Sequence, residues 1–148
     1  MTELLEINWT SVLSNLIHLV IAYALVLPVG WNRERDGTAG LRTFPMVAVA
    51  TCGYMLIGIE VLSTTEAEAR AMVGVITGMG FIGGGAILKK SDSVSGTATA
   101  ASLWTCGAIG LAVAWNRFEI AVLLAALNFL TLRLMQPAKE IAHDGEDE

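Results

Sequence analysis

The sequence predicts an all-α integral membrane protein, a bundle of about five transmembrane helices with a glycine-rich third helix. Three observations carry this expectation. The chain of 148 residues is 54% hydrophobic and only 16% charged, where a soluble domain averages about 25% charged residues. Its mean hydropathy is +0.61. Runs without a charged side chain recur along it, and the stretch Ala71 to Leu88 is 18 residues long, enough to cross a bilayer core as a helix. One compact unit is the natural expectation at this length.

The first uncharged run lies between Glu6 and Arg33, with a spanning part from Val12 to Gly30. Trp9 and Trp31 bracket it, at the level where indoles favour the membrane interface. Pro28 bends its last turn. Met1 to Glu6 has no basic residue, so the segment reads as a retained helix rather than a cleaved leader. A polar loop, Asn32 to Arg42, precedes the second run, Thr43 to Ile59, which opens with Pro45 where a missing N–H does little harm. Glu66, Glu68 and Arg70 read as a short acidic loop. The third run ends at Lys89-Lys90. The fourth spans from Ala98 to Trp115 and is rich in alanine and glycine. The fifth, Ile120 to Leu132, is short; with Arg133 snorkelling it extends from Phe118 to about Met135, and Pro137 stops it. The expected organisation is a transmembrane domain over 1–135 and an acidic tail over 136–148.

Orientation follows from the basic residues. With the N-terminus outside, the inner loops hold Arg33, Arg35, Arg42, Lys89, Lys90, Arg133 and Lys139, and the outer ones only Arg70 and Arg117. The C-terminal tail is then cytoplasmic.

In lipid, helices have no hydrophobic reason to associate, and glycine matters because it lets backbones approach. At 100° per residue Gly74, Gly78 and Gly85 share one side of the third helix, and Gly80 and Gly84 another. The run therefore reads as the packing spine, with the fourth helix as one neighbour and another helix, or a second protomer, on the other face. Polar groups within the runs are few: His18, Thr77, Ser102, Thr105 and Asn128. His18 is expected to hydrogen-bond a neighbour, and Asn128 to bond across helices. None of the five is a carboxylate at mid-membrane, where a proton or cation relay places one.

Net charge is −5, so no global basic field invites nucleic acid. Cys52 and Cys106 have no companions at metal-ligand spacing and read as small buried hydrophobes. Gly78-x-Gly80-x-x-Gly83 matches a dinucleotide fingerprint only in letters, since it lies late in a membrane run and no acidic partner follows at the right distance. No nucleophile, base and orienter assemble, so neither an enzyme nor a cofactor is expected. Solvated acids are the reading for Glu66 and Glu68, although Mg²⁺ needs only one or two carboxylates. On the inner side, Arg33-Glu34-Arg35-Asp36 alternates in sign. Arg33, Glu34 and Arg42, with Asp92 as a further partner, form a candidate charged clamp in which guanidinium–carboxylate bonds fix the loop.

Three stretches resemble one family, the MgtC/SapB membrane proteins. Arg33-Glu34 followed by Ala39-Gly40-Leu41-Arg42-Thr43 looks like its first-loop motif. Gly78-Met79-Gly80-Phe81-Ile82-Gly83-Gly84-Gly85-Ala86-Ile87 resembles its glycine-rich helix. Gly96-Thr97-Ala98-Thr99-Ala100-Ala101-Ser102-Leu103-Trp104, then Ala108-Ile109-Gly110-Leu111-Ala112, resembles its fourth segment. The matches run in order over roughly residues 15 to 134, as in a short form without the soluble C-terminal domain of longer members. The resemblance implies a multi-pass bacterial inner-membrane protein linked to magnesium limitation and acid adaptation. It also implies a regulator of other membrane machines, such as the F-type ATP synthase. Gly78, Gly80, Gly83, Gly84, Thr99 and Trp104 are the positions expected to set the helix interface, in a homo-oligomer with a dimer favoured. The alternative is a transporter or channel for Mg²⁺, another cation or a small solute.

Overall fold

A computed structural model describes residues 8–35, 40–90 and 93–144. It contains five helices: α1 (Trp9–Arg35), α2 (Thr43–Val61), α3 (Thr65–Gly85), α4 (Thr97–Ala114) and α5 (Phe118–Asp144). Between α3 and α4 lies an antiparallel hairpin of β1 (Leu88–Lys90) and β2 (Ser93–Ser95), with Leu88 opposite Ser95 and Lys89 opposite Val94. Three helices, α1, α2 and α4, are long and apolar enough to cross a membrane by length and composition. The all-α membrane class is as expected.

The centre of the bundle is not where the glycine count places it. α4 packs against α1, α2, α3 and α5, while α3 lies against α4 and, more lightly, α2. In the most apolar stretch of each helix, 61% of α4 is buried against 17% of α1. The reason lies in side-chain size. α4 carries Ala100, Ser102, Cys106, Gly107, Gly110, Ala112 and Ala114 as buried residues on several faces, so neighbours can approach it from every side. In α3 the buried residues are Met79 and Gly83. The third helix is a peripheral element and the fourth is the spine.

Several boundaries also differ from expectation. Glu66, Glu68 and Arg70 are not a loop but the first turns of α3. Thr64 caps that helix by accepting the Ala67 N–H at 3.2 Å, and Glu66 pairs with Arg70 one turn on. Acids in a first turn suit the positive end of the helix. Asn32 to Arg35 continue α1 rather than open the loop. α5 runs on through Pro137 to Asp144; proline removes one backbone bond, and the helix continues past it, so 135 is not a helix end.

The hairpin is anchored by Gly96, whose φ of 84° is left-handed. A Cβ there would collide with the Ala86 carbonyl, so the residue opening α4 must lack a side chain. The second cross-chain tie is polar. His18 Nδ1 lies 2.7 Å from the Ser14 carbonyl and Nε2 lies 2.9 Å from Asn116 Oδ1, joining α1 to the α4–α5 turn; its ring also lies against Phe118. A third tie joins α4 to α5. The Ser102 hydroxyl donates to Asn128 Oδ1 at 2.7 Å, and Asn128 Nδ2 donates to the Ser102 carbonyl at 3.3 Å. Both polar side chains expected to bond locally or across helices do so. Asn128→Leu leaves the Ser102 hydroxyl buried without this acceptor, and interhelical bonds of this kind contribute about 0.6–2 kcal/mol in membranes. A lower melting temperature for the purified variant, with helix content unchanged by circular dichroism, is the expected result.

Candidate functional site at the junction of α1 and α2

The chain turns back on itself between α1 and α2, and here the charged clamp was expected. α2 begins without a side-chain cap of its own, which leaves N–H groups at its start in need of acceptors. Glu34, near the end of α1, instead reaches two amides of the segment leading into α2. Its Oε2 accepts from the Gly40 N–H at 2.9 Å and from the Leu41 N–H at 3.1 Å. These two bonds, with the Arg42 charge behind them, hold the Glu34 carboxyl below its ordinary value. Glu34 lies beyond the apolar stretch that ends at Gly30, on exposed surface.

Among the described residues, the contacts of Glu34 are with the backbone. Glu34 grips backbone amides, and Arg42, which is exposed, acts on it as a nearby charge. Arg33 turns inward and is only 8% exposed. Asp92 lies outside the described residues.

Gly40 brings the two segments close enough for this grip. A Cβ on Gly40 would overlap the Gly30 carbonyl oxygen and stand 2.6 Å from the Glu34 nitrogen; one on Gly30 would stand 3.0 Å from the Gly40 oxygen. Two glycines thus let the end of one helix touch the start of the next, backbone to backbone, and the carboxylate closes the joint. Gly40 was legible as part of a motif, but Gly30 was not singled out: it looks like one more small residue in an apolar run.

The pH dependence follows from the direction of the shift. A carboxyl whose folded pKa is depressed contributes stability that is fully present above its unfolded value of 4.5 and is lost as pH falls through the folded value. Glu34→Gln is expected to lower the melting temperature at pH 7 and to flatten its fall below about pH 4.5, where the carboxyl would otherwise be protonated. Melts of parent and variant between pH 3 and 7 check this.

The helix-packing residues divide. Gly83 meets α4, a Cβ there falling 3.6 Å from the Ala100 carbonyl and from the Trp104 ring. Trp104 covers it from one side while remaining 52% exposed. Thr99 is half-buried in the first turn of α4. Gly78, Gly80 and Gly84 meet nothing within 4 Å of a Cβ position, so within the chain they are not contacts. Their faces are open because α3 is peripheral. The close contacts belong to glycines that were not singled out for packing. Gly107 lies under the Met79 side chain, and a Cβ on Gly110 would overlap Thr51 Oγ1 and the Ala48 carbonyl.

Chemically, the site is a joint between helices. Among the described residues no group of three His, Cys, Asp or Glu side chains could hold a metal ion. Cys52 and Cys106 are both buried free thiols.

Comparison with known proteins gives the wider context. The chain is 29% identical over 138 residues to Protein SrpB of Synechococcus elongatus, covering 84% of this chain and 76% of that protein. It is 29% identical over 127 residues to the Putative magnesium transporter YhiD of Escherichia coli K12, covering 80% and 59% respectively. It is 27% identical over 138 residues to Protein MgtC of Salmonella typhimurium, covering 90% and 59%. The chain thus spans about three-fifths of the length of the last two. No solved structure matches. The sequence pattern of the MgtC family matches residues 19–141, a range that contains the α1–α2 joint and most of the described bundle, and the chain therefore belongs to the MgtC family.

Proposed function

We propose that this membrane protein is a non-enzymatic regulator of other membrane proteins in magnesium-linked physiology. It resides in the bacterial inner membrane with its N-terminus outside and its C-terminus in the cytoplasm. The observation supporting a regulator is where the polar side chains within the helices make their bonds. Several polar side chains of the helices bond to their own backbone or to one another: Thr51 to the Val47 and Ala48 carbonyls, Thr77 to Val73, Thr105 to Ala101, and Ser102 to Asn128. Ion conduction calls for polar groups directed at a pathway. Two grooves on the bundle are instead lined chiefly by glycine, alanine and apolar side chains. A partner complex such as the F-type ATP synthase remains part of the reading through the family resemblance alone.

A second copy of the chain fits the same reading. Gly74 and Gly78, four residues apart, line a groove of about 830 Å³ between α2 and α3, beside Ala50 and Tyr54. Small residues spaced this way let a neighbouring helix approach. Gly78→Leu is expected to leave the protomer's melting temperature nearly unchanged, because a Cβ there meets nothing, and to convert dimer to monomer. Mass measurement in detergent, by light scattering, reads the second effect.

The second reading, a Mg²⁺ carrier, draws on the name of the relative YhiD. Flux into liposomes containing the purified protein separates the two. The regulator reading expects no saturable Mg²⁺ or proton movement, and crosslinking in native membranes that recovers a defined partner complex. Saturable flux that Glu34→Gln abolishes would overturn it.

A further inference from the structure

We infer that the groove between α3 and α4 is a binding site for a phospholipid with an anionic headgroup, one acyl chain lying in the groove and the phosphate held by Lys89. The inference is independent of whether the protein regulates or transports.

The groove is about 640 Å³ and is walled by Gly80 and Gly84 on α3 and by Ala101, Trp104 and Ala108 on α4. A Cβ at Gly80 or Gly84 meets nothing within 4 Å, so the space is created by absent side chains and is not filled by the chain's own atoms. Its hydroxyl well inside, Thr105, already donates to the Ala101 carbonyl at 3.0 Å, which leaves a wall suited to hydrocarbon.

Length selects the occupant. The lining on α4 runs from Thr97 to Ala108, which at about 1.5 Å per residue is roughly 16 Å. The hydrocarbon core is about 30 Å thick. The groove therefore has the depth of one leaflet. An acyl chain, which ends at the midplane, matches that depth.

Charge selects the headgroup. The groove's upper edge is formed by Ile87 and Thr97, and the hairpin rises directly from these two positions. Lys89 is on β1, two residues beyond Ile87, and is exposed. Leu88 and Val94 on the same hairpin are 61% and 56% exposed. Apolar side chains beside a basic one suit the boundary between acyl chains and headgroups, where a lysine attracts anionic lipid. Gly96 and the strand pairing fix the hairpin on the helix ends, so the basic group stands at a set height above the groove.

The test uses the full chain reconstituted into vesicles containing acyl-brominated phosphatidylglycerol or, separately, acyl-brominated phosphatidylcholine. Bromine quenches tryptophan at contact, and the Trp104 signal is the difference between the parent and Trp104→Phe. The expected result is that phosphatidylglycerol occupies the groove about fivefold more strongly than phosphatidylcholine, the scale of one lysine near a membrane surface. Lys89→Gln should remove that preference, and Gly84→Leu or Gly80→Leu should reduce quenching by both lipids. Equal quenching by the two lipids in the parent, or a preference that survives Lys89→Gln, overturns the inference. So does a Trp104 signal that neither lipid quenches while crosslinks from Gly84→Cys join two copies, since a second protomer then fills the groove.

Discussion

Gly110→Val is expected to be the most damaging single substitution among the described residues. Gly110 lies on the central helix where α4 meets α2, and a Cβ there overlaps both the Ala48 carbonyl and the Thr51 hydroxyl, with the Cys52 nitrogen 3.0 Å away. Thr51 is held by bonds to two carbonyls of its own helix. Nothing in that neighbourhood is the free end of a flexible side chain, so the helices must separate. Overpacking a tight core costs about 1–3 kcal/mol and sometimes more. Opening the α2–α4 contact belongs at the upper end, because Phe44, Ala48, Cys52 and Ile109 share the same packed core. Gly107→Ala supplies the control. Its Cβ meets the Met79 side chain at 3.1–3.3 Å, and methionine is unbranched and can shift. Thermal melts in detergent should show a large drop for Gly110→Val and a small one for Gly107→Ala. Equal effects would mean that backbone contact is not what fixes α2 on α4.

The second large effect belongs to Gly40→Val. A side chain there overlaps the Gly30 carbonyl and approaches both the Glu34 nitrogen and the Arg33 Cβ, the last at 3.0 Å. The chain must move away from α1, and in moving it withdraws the Gly40 and Leu41 amides from the Glu34 carboxylate. Two losses then add, a steric one of the order of 1–3 kcal/mol and the loss of two hydrogen bonds to a charged group. Because Phe44 donates its N–H to the Gly40 carbonyl at 3.0 Å, the first turn of α2 is expected to fray as well. Hydrogen exchange at Leu41 to Phe44 reads this directly: protection should fall in Gly40→Val and stay near the parent level in Gly53→Ala, whose added Cβ meets only the Leu19 side chain at 3.9 Å. Local protection unchanged in Gly40→Val would remove the joint from the account.

These contrasts show what was legible in the sequence. The helices were, because lipid leaves a backbone few ways to satisfy its amides and so forces long uncharged runs into helices. The family was, because three motifs with fixed order and spacing coincide. Which glycines touch was not. A small side chain reports that close approach is allowed, not that a neighbour is present: Gly78 and Gly110 look alike in sequence, yet one faces open space and the other a carbonyl oxygen. The role of Glu34 was half legible. Alternating charge in the first loop indicated that something is held there, but a backbone amide as partner leaves no mark on the sequence. The hairpin was hidden because strands as short as Leu88–Lys90 and Ser93–Ser95 are too brief to show a period, and α5 outran its expected end because proline at Pro137 interrupts one bond without stopping the helix.

The central place of α4 bears on how the chain is made. Membrane helices insert singly and associate afterwards, and synthesis delivers them in numerical order. While only α1, α2 and α3 have left the ribosome, the element they all lean on is still missing, and the surfaces around Ala48, Cys52 and Met79 face lipid. Completion of the bundle is therefore delayed until the penultimate segment arrives and packs against α1 and α2, which already contact each other. A nascent chain arrested before Thr97 should consequently be a substrate for membrane quality-control proteolysis, whereas one arrested after α4 should already resist it.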